Sequence, residues 1–230
     1  MRIACWNCAD GLWGKRALLG ALDADLIIVP EVRAQDFARI APGFAGAAYA
    51  PSASARGLAS FCRLPGLQVR PFEPPGQLEC YQWLHWQGVD ILAAWVKSAG
   101  DYVRPARAAI GHFLQASKAR HRIVLGDLNL NPKFDGQGRR RPATELVAHL
   151  AEQGLRSLYH EATGDPMGAE MQPTHHFTYN AARPFHIDFI FASQGLALDH
   201  FHIGAPADWI GKGRGDHVPL LAHLAPGPDR

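Results

Sequence analysis

Cysteine is scarce in this chain: Cys5, Cys8, Cys62 and Cys80 are the only four in 230 residues. That is too few for a disulfide framework at this length. Cys5 and Cys8 do form a C-x-x-C, but residues three apart on a strand point to opposite faces, so both are expected to pack in the interior rather than bind zinc or cycle redox state. An excess of one charge is also lacking. The formal net charge of +2 does not indicate a large basic surface, although a local basic patch stays open. Long apolar runs are missing as well. Asn7 interrupts the start before a signal-peptide core could form, and no later stretch is long enough to cross a bilayer. The expectation is a cytoplasmic protein without a membrane span. With 47% hydrophobic residues and no long polar, Pro-rich or Ser-rich divider, residues 1–230 are expected to form one domain. Nothing in the sequence points to a protein partner.

What is present is a series of short apolar runs that end in polar residues. Ile123, Val124 and Leu125 read as a buried strand, and Gly126 allows the backbone to leave it in an unusual conformation. Asp127 and Asn129 follow. If the chain stays extended they point the same way; if it does not, Asp and Asn are ordinary turn residues. Earlier, a strand at 2–6 ends at Asn7, helical spacing covers 13–22, and the run 25–31 reads as a strand buried on both faces. Pro30 cannot donate a ladder hydrogen bond, so pairing should stop there and leave Glu31 at the rim before a helix at 33–40. Short strands at 57–63, 67–71, 79–86 and 89–96 suggest an antiparallel meander. An amphipathic helix at 104–119 then leads back to Ile123.

After Asn131 comes a long loop with three basic residues, Arg139, Arg140 and Arg141. These could meet substrate phosphates in bidentate contacts or simply face solvent. Pro142 suits the first turn of a helix ending near Gln153. Strands are expected at 174–179 and 185–192, the second placing His186, Asp188 and Ile190 on one face. Asp216 and His217 precede a final strand. Asn7, Glu31, Asp127, Asn129, Asp188, Asp216 and His217 thus all lie at or beside strand ends. Buried acids need cations or donors, so these residues should cluster if the ends share one sheet edge. Oxygen donors with one histidine and no grouped thiolates favour Mg²⁺ or Mn²⁺ over zinc.

The ordered set Trp6-Asn7, Pro30-Glu31, Gly126-Asp127-Leu128-Asn129, His186-Ile187-Asp188-Phe189-Ile190-Phe191 and Asp216-His217-Val218-Pro219-Leu220 resembles the endonuclease/exonuclease/phosphatase superfamily, across nearly the whole chain. The resemblance implies an α/β fold: a four-layered α/β sandwich with two mixed β-sheets packed face to face and helices outside. It implies Glu31 as the main metal-binding carboxylate, with Asn7 near it and Asp216 close to the metal shell. Asp127 would activate water, Asn129 would hold it and a phosphate oxygen, and His217 paired with Asp188 would bond the scissile phosphate. Two departures matter. Trp95 stands where the family often has His or Tyr, which leaves Lys97 or Tyr102 to supply that phosphate contact, and an extra residue in the turn after Asn7 weakens any metal role for Asp10.

The expected activity is a metal-dependent phosphodiesterase acting on nucleic acid or a nucleotide. Two alternatives stand beside it. One is a phosphomonoesterase for a phosphorylated sugar, inositol or lipid head group, and the other a catalytically weak binding module of the same fold.

Overall fold

The computed structural model describes residues 1–136, 142–180 and 182–227. In chain order the first half contains β1 (Arg2–Cys5), α1 (Arg16–Ala21), β2 (Leu26–Arg33), α2 (Ala34–Ile40), β3 (Gly46–Ala50), β4 (Arg56–Cys62), β5 (Gln68–Arg70), β6 (Tyr81–Trp86), β7 (Val89–Trp95) and α3 (Val103–Ala116). The second half contains β8 (His121–Asp127), α4 (Ala143–Glu152), β9 (Leu155–Ser157), α5 (Leu158–Thr163), β10 (His175–His176), β11 (Pro184–Phe185), β12 (Asp188–Ser193), β13 (Leu196–Ile203), α6 (Pro206–Trp209) and β14 (Leu220–Pro226).

Two six-stranded sheets result, in the orders β13-β14-β1-β2-β4-β3 and β5-β6-β7-β8-β12-β9, with β10 and β11 forming a separate ribbon. Each sheet has one parallel pair, β1 with β2 and β7 with β8, and its other neighbours are antiparallel. A parallel pair needs a crossover, which α1 and α3 respectively provide.

The apolar runs are continuous because alternate side chains serve two cores. Ile3, Cys5, Leu26 and Ile28 meet Ile91, Ala93, Ile123, Leu125 and Ile190 between the sheets. Their neighbours Leu92, Ala94, Val124, Phe189 and Phe191 pack outward against Ile110 and Phe113 of α3 and Leu146 and Leu150 of α4. Ala4, Trp6, Ile27 and Val29 likewise face Leu19 and Leu22 and the end of α2 at Ile40. The layering is helix, sheet, sheet, helix. All four cysteines are buried and free, Cys5 between the sheets and Cys8 in the outer core.

Several elements differ from the sequence expectation. The supposed meander is split: β4 belongs to the first sheet, and only β5, β6 and β7 form a meander in the second. Pairing of β2 with β4 lapses after Val29 but resumes at Val32 through a bulge, so Pro30 interrupts the strand without ending it. The strand expected at 174–179 is two residues long, because Thr178 and Tyr179 adopt left-handed backbone at φ 54° and 60°. The strand expected at 185–192 divides into β11 and β12, where Thr174 Oγ1 accepts the backbone N–H groups of Ile187 and Asp188 at 3.0 and 3.1 Å. Trp13, at the start of the helical spacing over 13–22, is exposed beneath the guanidinium of Arg16, 4.7 Å from its ring.

Candidate active site

The site forms where the C-terminal ends of both parallel pairs come together. Asn7 follows β1 on the inter-sheet parity of Ile3 and Cys5, and its Nδ2 donates to Glu31 Oε1 at 3.1 Å and to Asp127 Oδ2 at 2.9 Å. One amide therefore joins a carboxylate from each sheet. Glu31 would face outward with Ile27 and Val29 in a regular strand. The bulge and its own left-handed φ of 65° turn it inward instead.

Asp127 ends β8 after Gly126, whose φ is 144° and where a Cβ would lie 1.8 Å from the Ala94 carbonyl oxygen. No other residue fits that approach. The chain does not stay extended beyond Asp127: Asn129 has φ 52°, and its backbone N–H donates to Asp127 Oδ1 at 3.0 Å. Asp127 is thus both a turn residue, through one oxygen, and a site residue, through the other. Asn129 Nδ2 donates to the Val96 carbonyl at 3.2 Å, fixing the amide beside the end of β7.

Asp188 begins β12 directly opposite Asp127 in the ladder. Its Oδ2 lies 2.8 Å from His217 Nδ1, while Oδ1 is buried with no hydrogen-bond partner among the described residues. Asp127, Asp188 and His217 are 2%, 1% and 4% exposed, and the protonation of Asp127 and His217 is set by that burial and by the charges around them. Burial first, then the charge of Asp188, pushes the Asp127 carboxyl up to about 8, against the opposing pull of His217 and Asn7. Burial opposes charge on His217, but Asp188, by charge and hydrogen bond, and then Asp127 and Asp216 outweigh it and raise the imidazole to about 10.

Asp216 lies on the open side of His217, with Oδ1 4.0 Å from His217 Nε2 and Oδ2 3.5 Å from His175 Nε2. Burial would raise its carboxyl, but the hydrogen bond from His175 and the charge of His217 hold it below the usual range. His186, expected on one face with Asp188, lies outside β12. Its ring packs 4.5 Å from Tyr159 and its Nδ1 bonds the Gln172 carbonyl at 2.8 Å, so it is a structural histidine, with burial lowering its pKa.

Lys97 reaches the rim: its Nζ donates to Ser52 and Ser54 hydroxyls at 2.8 and 3.0 Å and lies 4.9 Å from the Trp95 ring centroid. Tyr102 stands at the start of α3 against the outer core. Asp10 pairs with Arg33. Arg139, Arg140 and Arg141 lie outside the described residues.

Two residues here were not singled out from sequence. Arg56 pairs with Glu31 Oε2, and His175 stacks on His217 with centroids 4.3 Å apart. Each opens a short strand from a polar loop, and only the pairing of β4 with β2 and of His175 with His217 brings them inward.

The donor set fits a hard divalent cation. Glu31 presents its two oxygens to an amide N–H and a guanidinium, Asp216 faces imidazole nitrogens, and the spare Asp188 oxygen is a buried acceptor without a donor. Among the described residues two groups bring ligand atoms together, His175–Asp216–His217 and Asp127–Asp188–His217; neither contains a thiol, and Glu31 lies outside both.

No protein-family model matches this chain, and none of the curated proteins does. Solved structures do. A 3'-5' exonuclease from Neisseria meningitidis superposes with TM-score 0.75 at 18% identity, covering 97% of this chain and 99% of its own. A Neisseria 3' phosphatase bound to product DNA hairpin gives 0.75 at 16%, covering 98% and 99%. An AP endonuclease from Archaeoglobus fulgidus gives 0.73 at 17%, covering 97% and 99%. Each superposition spans nearly the whole of both chains, and this chain with its two mixed sheets has the DNase I-like fold.

Proposed function

We propose that this protein is a divalent-metal-dependent phosphodiesterase that hydrolyses nucleic acid or a nucleotide by in-line attack of water, as one cytoplasmic domain over residues 1–230. The observation that carries this reading is the linked chain Glu31–Asn7–Asp127, facing Asp188–His217 across one ladder position. Asp127, with its carboxyl near neutral, accepts a proton from water, as a general base works best when its pKa lies near the operating pH. Asn7 and Asn129 orient the water and a phosphate oxygen. His217, its Nδ1 held by Asp188, turns Nε2 toward the phosphate and, being charged, stabilises negative charge building there. Glu31 and Asp216 would hold Mg²⁺ or Mn²⁺ with Asn7 nearby; such an ion supplies charge stabilisation and assists the leaving oxygen. No covalent intermediate is required. Lys97, at the rim, and Arg139, Arg140 and Arg141 are the further phosphate contacts of this reading.

A nucleic-acid substrate is supported by the structural neighbours, an exonuclease, an AP endonuclease and a 3' phosphatase bound to product DNA hairpin. The phosphatase also favours a second reading, in which the scissile group is a terminal phosphomonoester. Bis(para-nitrophenyl) phosphate and para-nitrophenyl phosphate, each with Mn²⁺ and with chelator, separate the two. Diester turnover abolished by chelator supports the first reading, and monoester preference the second. Asp127→Ala should lower kcat by about a hundredfold or more with the fold retained by circular dichroism; near-normal turnover would remove Asp127 from the mechanism.

A further inference from the structure

Arg56 stands at the first position of β4, opposite Arg33 beyond the bulge that turns Glu31 inward. Its backbone is pinned, because its carbonyl accepts the hydroxyls of Ser52 at 2.6 Å and Ser54 at 3.2 Å. Its side chain is not. The guanidinium is 6.0 Å from the Trp95 ring centroid and has one hydrogen-bond partner among the described residues, Glu31 Oε2, with the side chain 40% exposed. Lys97 approaches the same indole but is already held by two hydroxyls, and Glu79 lies 3.8 Å from its ammonium. Trp95 itself is fixed, 5% exposed and paired in register with Asp127. A static aromatic platform thus lies between a tethered lysine and an arginine held at a single point.

That single point is an oxygen of the carboxylate proposed above to hold the metal ion. A carboxylate oxygen cannot serve a guanidinium and a divalent cation at full strength, and two cations sharing one carboxylate would repel each other. We propose that Arg56 exchanges partners: it neutralises Glu31 in the metal-free protein, and when a divalent cation takes Glu31 it moves along the Trp95 ring to a phosphate oxygen of the substrate. The proposal rests on Glu31 being the metal-binding carboxylate. The guanidinium fork suits a phosphate as well as a carboxylate, so the exchange replaces one charge-assisted pair with another. It also couples the two ligands. Metal frees Arg56 for phosphate, and by linkage phosphate draws Arg56 away and tightens metal.

The test is isothermal titration of Mn²⁺ into the full chain without substrate, comparing wild type, Arg56→Gln and Arg56→Lys, with folding checked by thermal melts. Loss of the competing cation should make Arg56→Gln bind Mn²⁺ about tenfold more tightly, while Arg56→Lys, which keeps the charge, stays within about threefold of wild type. In steady-state assays on bis(para-nitrophenyl) phosphate at saturating Mn²⁺, Arg56→Gln should raise KM about tenfold with kcat falling less than about threefold. Tighter metal with weaker substrate is a pair of opposite signs that a merely structural arginine does not produce. Unchanged or weaker Mn²⁺ binding in Arg56→Gln would overturn the exchange while leaving the phosphodiesterase reading intact. Failure of the wild-type protein to bind Mn²⁺ would overturn the metal-dependent reading, and this proposal with it.

Discussion

Asp188 acts on two neighbours with one side chain. Its negative charge raises the Asp127 carboxyl, which therefore holds its proton to higher pH, and the same charge raises His217, which keeps the imidazole protonated to higher pH. Turnover should therefore rise with pH as Asp127 ionises and fall as His217 loses its proton. Removing the charge by Asp188→Asn relaxes both effects in the same direction. The acid limb and the alkaline limb of kcat/KM against pH should both move to lower pH, alongside a loss of rate from the poorly held imidazole. A profile in which the limbs stay in place, or move apart, would show that Asp188 only positions His217. The divided use of Asp127, one oxygen for the turn at Asn129 and one for Asn7, belongs to the same scale. It explains how a residue type common in turns can also be a buried carboxylate joined to the opposite sheet.

At the scale of elements, the site depends on how two strands finish. β2 bulges so that Glu31 changes face, and β8 passes so close to β7 at Gly126 that a side chain would strike the Ala94 carbonyl. The second feature gives a sharp stability contrast. Gly126→Ala adds a Cβ 1.8 Å from a backbone oxygen at φ 144°, so it should cost about 3 kcal/mol or more in urea unfolding or prevent accumulation of folded protein. Gly154 also has positive φ, 73°, but a Cβ there meets nothing within 4 Å, and Gly154→Ala should cost about 1 kcal/mol. Equal costs at the two positions would mean that conformation rather than close approach governs Gly126. The price of these strand endings is local strain at Glu31 and Asn129, both at positive φ without being glycine.

Across the whole molecule, the inter-sheet core ends where the acids begin. Asn7 and Glu31 come from one sheet and Asp127 and Asp188 from the other, so an ion or substrate bound as proposed would engage residues that only the docked sheets hold together. An ion that binds the folded chain alone stabilises it by mass action. At a metal concentration about a hundred times the dissociation constant the gain is about 2.7 kcal/mol, or about 5–10 °C in Tm for a chain of this size. Melts with Mn²⁺ should show that rise, chelator should reverse it, and Glu31→Ala should abolish it. A rise that survives Glu31→Ala would place the ion elsewhere.

The sequence by itself determined the components. The apolar runs at β1, β2, β7 and β8, the amphipathic α3, and the recurrence of acids and amides at strand ends were all legible, since alternation, helical period and abrupt polarity are local properties. So was Gly126, because glycine after a buried run signals backbone that other residues resist. Only the tertiary structure decided which sheet each short strand joins, as with β4, since register and partner are set by contacts distant along the chain. It alone turned Glu31 inward through a bulge, and it alone brought Arg56 and His175 into the site, because neither residue carries a local mark of its long-range neighbour. Protonation belongs with these, since Asp127 rises through burial and the charge of Asp188 across the ladder, while His217 rises because the charges folding places around it outweigh its burial.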